Sequence, residues 1–142
     1  IHGNAGFNCI RGGAGNDSLF GFGGNDRIEG QQGNDHLYGG TGVDRFIFRE
    51  RSAATDGIDR IYDFTDADKI VIDTVAATVT TQLKAYQFTL GTSAADTSDR
   101  VIYDQATGAV RFDADGSGSK AAVLIAVLNT KPPVTFADFE FI

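Results

Sequence analysis

The sequence predicts an all-β chain: a parallel coil of nine-residue repeats, two to each circuit, followed by a small antiparallel β cap, either a sheet or a sandwich. Three observations predict it. Residues 12–47 are four ungapped units, GGAGNDSLF, GFGGNDRIE, GQQGNDHLY and GGTGVDRFI. Each opens on Gly, returns to Gly at the fourth place, and sets Asp at the sixth and a large apolar residue at the eighth. From residue 68 onward the pattern changes to ordinary strand alternation between turn residues. Self-similarity at a short period decides the architecture before any single residue is weighed.

Within a unit, glycines at places one, two and four suit a backbone that takes positive φ or passes close to another group, where a β-carbon is costly. Places seven to nine make a three-residue strand whose middle side chain points opposite its neighbours. Ile10, Leu19, Ile28, Leu37 and Phe46 therefore face inward. Repeats of the same parity stack about one strand spacing (~4.8 Å) apart. That sets Asp17 over Asp35 on one side, and Asn8, Asp26 and Asp44 on the other. Asn8 belongs to a weaker leading unit, GNAGFNCIR, at residues 3–11.

Two unpaired carboxylates at that spacing repel, and one is driven to take up a proton. A hard cation between them removes the conflict. Ca²⁺ takes six to eight oxygens, and glycine-rich turns expose carbonyls beside each Asp. The expected ligand-bearing residues are Asn8, Asp17, Asp26, Asp35 and Asp44, with Gly12, Gly13, Gly15, Gly21, Gly24, Gly30, Gly33, Gly39, Gly40 and Gly42 in the turns. Sites are expected between Asp17 and Asp35 and between Asp26 and Asp44, with a poorer one between Asn8 and Asp26.

These repeats resemble the RTX calcium-binding nonapeptide, G-G-x-G-x-D-x-U-x, with U a large apolar residue. The resemblance implies a right-handed parallel β-roll and several bound Ca²⁺ ions. Departures from the pattern are Asn4, Phe22 and Gln31 at the second glycine place, Gly23 at an open place, and Asn8.

The phase survives beyond the intact array. After a six-residue insertion, Gly57-Ile58-Asp59-Arg60-Ile61 restores Gly, Asp and the apolar residue at their spacing, and Asp68-Lys69-Ile70 repeats the phase without glycine. Asp59 either closes a last ion site against Asp35, with Asp63 as a candidate helper, or caps a strand. The expected division is a roll over residues 1–73 and a capping β region over 74–142. In the latter, 74–85 reads as loop or short helix, 100–103 and 109–113 as a hairpin, 121–128 as a buried strand and 136–142 as a final strand. The turn at Asp113-Ala-Asp-Gly-Ser lacks the spaced ligands of an EF-hand and reads as a hairpin turn.

Composition narrows the function classes. Net charge is −7, which argues against nucleic acid and anionic membrane surfaces as partners. Sixteen Asp against three Glu is the bias expected of short carboxylates acting from turns. The longest apolar run, 121–128, is too short for a transmembrane segment. One cysteine, Cys9, leaves no internal disulfide. Two histidines, no H-E-x-x-H, no G-x-S-x-G and no P-loop give catalysis no support, so the chain reads as a non-catalytic piece. Ile1 falls in an apolar eighth place, and the chain is expected to be the C-terminal part of something longer.

The tail is similar to the region following the roll in serralysin-type proteases, through DRIYDF (59–64), DKIVID (68–73), DRVIYDQATGAVRFDADGSG (99–118) and ADFEFI (137–142). That resemblance implies a type I secretion signal at Asp138, Phe139, Glu140, Phe141 and Ile142, although alternation alone fits an edge strand equally well. The expected function is a calcium-binding module that folds on Ca²⁺ and supports type I secretion and extracellular folding of a larger protein, secreted or held at the cell surface. The alternative is a module that binds acidic polysaccharide or mediates adhesion, as similar rolls accompany alginate epimerases. Its grip would come from Arg27 and Arg45 at equivalent outward places, with Arg11 nearby.

Overall fold

The computed structural model describes residues 1–49, 57–74 and 81–142. Strands alternate between two sheets from the first repeat on. β1 (His2–Asn4), β3 (Ser18–Phe22), β5 (His36–Tyr38) and β7 (Asp59–Ile61) lie side by side in one sheet. β2 (Cys9–Ala14), β4 (Arg27–Gln32), β6 (Arg45–Arg49) and β8 (Lys69–Asp73) do so in the other. All these neighbours pair parallel, so the chain forms a β-roll with two repeats per coil.

Register follows the repeat. Ser18 lies opposite His36 and Arg27 opposite Arg45, a step of 18 residues. One coil further on, His36 faces Arg60 and Arg45 faces Lys69, a step of 24. The longer step appears in both sheets because the insertion falls between β6 and β7, inside both circuits. Residues 50–56, where it falls, lie outside the described residues.

The eighth-place side chains fill the space between the sheets. Leu19, Ile28, Leu37, Phe46, Ile61 and Ile70 have no exposed surface, and Ile10 very little. A three-residue strand buries only its middle side chain, so stacking is what turns isolated residues into a continuous core. On the outer face of the first sheet the ninth-place rings of Phe20, Tyr38 and Tyr62 stack at 4.6 and 4.8 Å, which is the strand spacing.

Both sheets continue from the roll into the tail. β13 (Val123–Leu128) pairs parallel with β7, and β12 (Ala109–Phe112) and β11 (Val101–Asp104) follow antiparallel. β10 (Phe88–Leu90) ends that sheet, parallel to β11. In the second sheet, β14 (Phe139–Phe141) pairs parallel with β8 and antiparallel with β9 (Thr81–Gln82). The antiparallel cap is thus grafted onto the roll through two parallel seams. Its core residues, among them Val101, Tyr103, Val110, Leu128 and Phe139, join the core of the roll.

Two local readings change. The final strand begins at Phe139 rather than Phe136, because Thr135 and Asp138 cap one 3₁₀ turn over Phe136–Asp138, with the Thr135 N–H donating to Asp138 Oδ2 at 2.7 Å. That strand also lies between two neighbours rather than at an edge. Of the stretch read as loop or helix, residues 75–80 lie outside the described residues, and Ala85–Gln87 is a 3₁₀ turn.

Candidate metal centre

The sixth-place side chains form two columns, one on each side of the roll, where turns carry the chain from sheet to sheet. In one column the Asp17 N–H donates to Asp35 Oδ1 (2.8 Å), and the Asp35 N–H to Asp59 Oδ1 (3.0 Å). In the other, N–H groups of Asn8, Asp26 and Asp44 donate to Oδ1 of Asp26, Asp44 and Asp68 at 2.8, 2.8 and 2.9 Å. Each coil therefore hands one backbone donor to the carboxylate of the next.

The second carboxylate oxygen is left over. Oδ2 of Asp17, Asp26, Asp35 and Asp44 is buried with no hydrogen-bond partner. Asp35 and Asp44 are wholly buried, and Asp26 almost so. An unpaired buried charge is among the costliest features a fold can carry. Burial, together with the charge of Asp17, pushes the Asp35 carboxyl up despite the hydrogen bond from the Asp17 N–H. Burial and the charges of Asp68, Asp26 and Asp63 push the Asp44 carboxyl up to about 6, against the bond from the Asp26 N–H. Without a cation the columns repel themselves.

The first-place glycines keep room beside each orphan oxygen. A β-carbon on Gly12 would lie 3.0 Å from Asp17 Oδ2 and 2.5 Å from the Gly30 carbonyl oxygen. One on Gly21 would strike Asp26 Oδ2, and one on Gly39 would strike Asp44 Oδ2. On Gly30 it would strike Asp35 Oδ2 and lie 2.8 Å from Asp59 Oδ2, so those two carboxylates converge on one spot. Among the described residues no three acidic, histidine or cysteine side chains gather as a metal cluster, so an ion bound in these turns would draw most of its ligands from carbonyls. The donor set, carboxylate plus carbonyl oxygen, fits a hard divalent ion such as Ca²⁺.

Places two and four meet the other expectation. Gly13, Gly15, Gly24, Gly33, Gly40 and Gly42 all take positive φ. Gly42, at 132°, also sits so close to the Gly24 carbonyl that a side chain has no space. Phe22 and Gln31 hold the second place at φ 77° without being glycine. Each carries roughly 1–2 kcal/mol of strain there.

Several participants were not foreseen. Asn16, Asn25 and Asn34, at the fifth place, form a second ladder running the opposite way. Their Oδ1 atoms accept the N–H groups of Asn34 (2.9 Å), Val43 (2.9 Å) and Ile58 (2.8 Å) on the following coil. Recurrence of Asn at one place in three successive units was the available signal. Asp68 ends its column with both oxygens bonded, Oδ2 accepting the Thr65 N–H (2.8 Å) and hydroxyl (3.0 Å). Asp63 does not serve Asp35 and Asp59. It lies in the other column, where its carboxylate accepts the N–H groups of Gly39 and Gly40 at 3.0 and 2.8 Å, because it occupies the first place of the following unit.

On the outer face of the second sheet, Arg27, Arg45 and Lys69 stand in register. Arg45 is paired with Glu140 at 3.3 Å, and Lys69 lies 3.7 Å from Asp138. Buried Glu29 holds Arg49 at 2.6 Å and Arg11 at 3.2 Å. Burial raises the Glu29 carboxyl, but hydrogen bonds and charge from Arg49, aided by Arg11 and Gln31, carry it below its ordinary value.

The family pattern of the RTX calcium-binding nonapeptide repeat (4 copies) matches residues 1–21 and 20–50. No curated protein matches the chain. Among solved structures, the R3 subunit (AlgE6R3) of the Azotobacter vinelandii mannuronan C5-epimerase is similar at 24% identity, over 96% of this chain and 79% of that one, with a TM-score of 0.31.

Proposed function

We propose that this chain, whose residues 1–50 are RTX calcium-binding nonapeptide repeats, is a calcium-gated folding module that leaves the cell unfolded and folds on arrival outside. One observation carries the reading: four buried carboxylate oxygens, stacked in two columns, have no partner. Each is a debt that a divalent cation settles and an empty turn does not. Metal-binding energy then becomes folding energy, as in small metal-dependent domains. Extracellular calcium modules bind at about 10⁻⁴–10⁻³ M and cytosolic sensors at about 10⁻⁷–10⁻⁵ M, so weak sites stay empty inside a cell and fill outside it.

In this reading Asp17, Asp26, Asp35 and Asp44 hold the ions, with Asp59 and the turn carbonyls completing them. Residues 1–73 form the roll and 74–142 the cap. Asp138, Phe139, Glu140, Phe141 and Ile142 form the segment read by a type I exporter. Phe139 is fully buried in the folded chain and β14 is paired on both sides, which supports export ahead of folding. The module binds rather than catalyses.

A grip on acidic polysaccharide through the Arg27–Arg45 ladder has less support. Arg45 is already held by Glu140, Lys69 is close to Asp138, and Arg11 is engaged by Glu29.

Far-UV circular dichroism during a calcium titration, from excess chelator to about 10 mM, tests the proposal across the extracellular range. A steep, cooperative gain of β signal is expected. Full β signal in chelator would overturn it.

A further inference from the structure

We infer that the side-chain amide of Asn8 stands in for a cation, closing the first turn of its column without metal. The inference rests on the calcium reading above and concerns the one turn in which Asn replaces Asp.

Asn8 Nδ2 donates to three oxygens at once: the carbonyl of Gly6, the carbonyl of Asn4 (3.3 Å) and Asp26 Oδ1 (2.9 Å). Two turn carbonyls and a carboxylate from the next coil are the kind of oxygen set a hard cation collects. The position matches as well. A β-carbon on Gly3 would lie 3.1 Å from Asn8 Nδ2, and one on Gly12 would lie 3.0 Å from Asp17 Oδ2. The amide nitrogen thus occupies the spot that the orphan oxygen occupies one unit on.

What changes is polarity. In the turns of Asp17, Asp26, Asp35 and Asp44 an acceptor sits among acceptors and stays unpaired. In the turn of Asn8 a donor sits among acceptors. An amide NH₂ carries two hydrogens and no lone pair for a metal. It satisfies the turn and at the same time excludes the ion. Among the described repeats of the roll, calcium sites therefore fall to the four turns whose Asp has an orphan oxygen. The link from residues 4–8 to Asp26 needs no ion of its own.

The test is the variant Asn8→Asp in the full chain, compared with the unaltered protein by calcium stoichiometry and by thermal unfolding at limiting and at saturating calcium. The expected result is one additional Ca²⁺ per chain and a lower unfolding temperature at limiting calcium, restored at saturating calcium. An unchanged calcium count would overturn the inference. If the unaltered protein itself bound no calcium, the calcium reading would fall first, so the two failures are distinct. A second measurement needs no variant. In the calcium-loaded protein, the Asn8 side-chain NH₂ should exchange with solvent far more slowly than that of exposed Asn129. Equal exchange rates would overturn the assignment.

Discussion

Asp44 receives the Asp26 N–H on Oδ1 at 2.8 Å and passes its own N–H to Asp68 Oδ1 at 2.9 Å, while its Oδ2 has no partner. One atom of each such carboxylate serves the backbone and, in the proposed function, the other serves the ion. Folding and binding are therefore written on the same side chain, and neither can be altered alone.

Replacing Asp35 by Ala should show this coupling. Asp35 accepts from Asp17, donates to Asp59 and shares the space at Gly30 with Asp59, so its loss damages ion sites on both sides. Loss of a supporting group at a metal site costs about 10–100-fold in affinity, and loss of a shared carboxylate should cost at least that. Asp17→Ala, with one described carboxylate neighbour in its column, should cost less. Calorimetric titration with calcium ranks the two, and equal losses would contradict the shared-site geometry.

Acidity should work against calcium through Asp44. Its folded-state pKa of about 6 lies above the ordinary 3.8, so the metal-free folded chain holds that proton more tightly than the unfolded chain does. The resulting stabilisation is present below the unfolded value and is lost as pH rises through about 6. In the proposed function calcium competes with that proton for Asp44. The calcium midpoint should stay flat above about pH 6 and move to higher concentration below it, as titrations on either side of that value would show.

Glycine substitutions should separate backbone strain from close approach. Gly15 has φ 110° and open space around a would-be β-carbon, whereas Gly42 has φ 132° and the Gly24 carbonyl in the way. Gly15→Ala should cost roughly 1–2 kcal/mol from φ alone. Gly42→Ala should cost clearly more, because turn must part from turn. Chemical denaturation in saturating calcium measures both.

Truncating one side chain near the C-terminus should destabilise the whole roll. Phe139 is fully buried, packs against the Phe88 ring at 5.5 Å and belongs to the strand that pairs with β8. Phe139→Ala should cost about 3–5 kcal/mol. A single cooperative transition at lower temperature is the expected calorimetric trace. Separate melting of a retained roll would show that the cap is dispensable.

The array was legible because a nine-residue period leaves few ways to coil. Once Leu19 and Leu37 face inward, Asp17 must come over Asp35. The same logic carried past the insertion to Asp59. It faltered where one residue type serves two purposes. Asp63 and Asp68 both read as acids in a fading repeat, and only the turn they enter tells that the first caps N–H groups and the second ends a column. The Asn ladder was visible as recurrence but lacked a partner until coils were stacked. The parallel seams of the tail had no local signal at all. β13 meets β7 and β14 meets β8 across more than sixty residues of chain, and alternation says only that a strand will pair, not with what.

The place of β14 has a consequence for timing. The strand formed by Phe139–Phe141 lies within the second sheet, between β8 and β9. A growing chain cannot insert it until residue 141 has left the ribosome, so the second sheet stays open until everything before that residue has been made. Whatever the ion concentration, β8 waits for a neighbour made long after it, and the unfinished chain has an interval in which to be handled by something else.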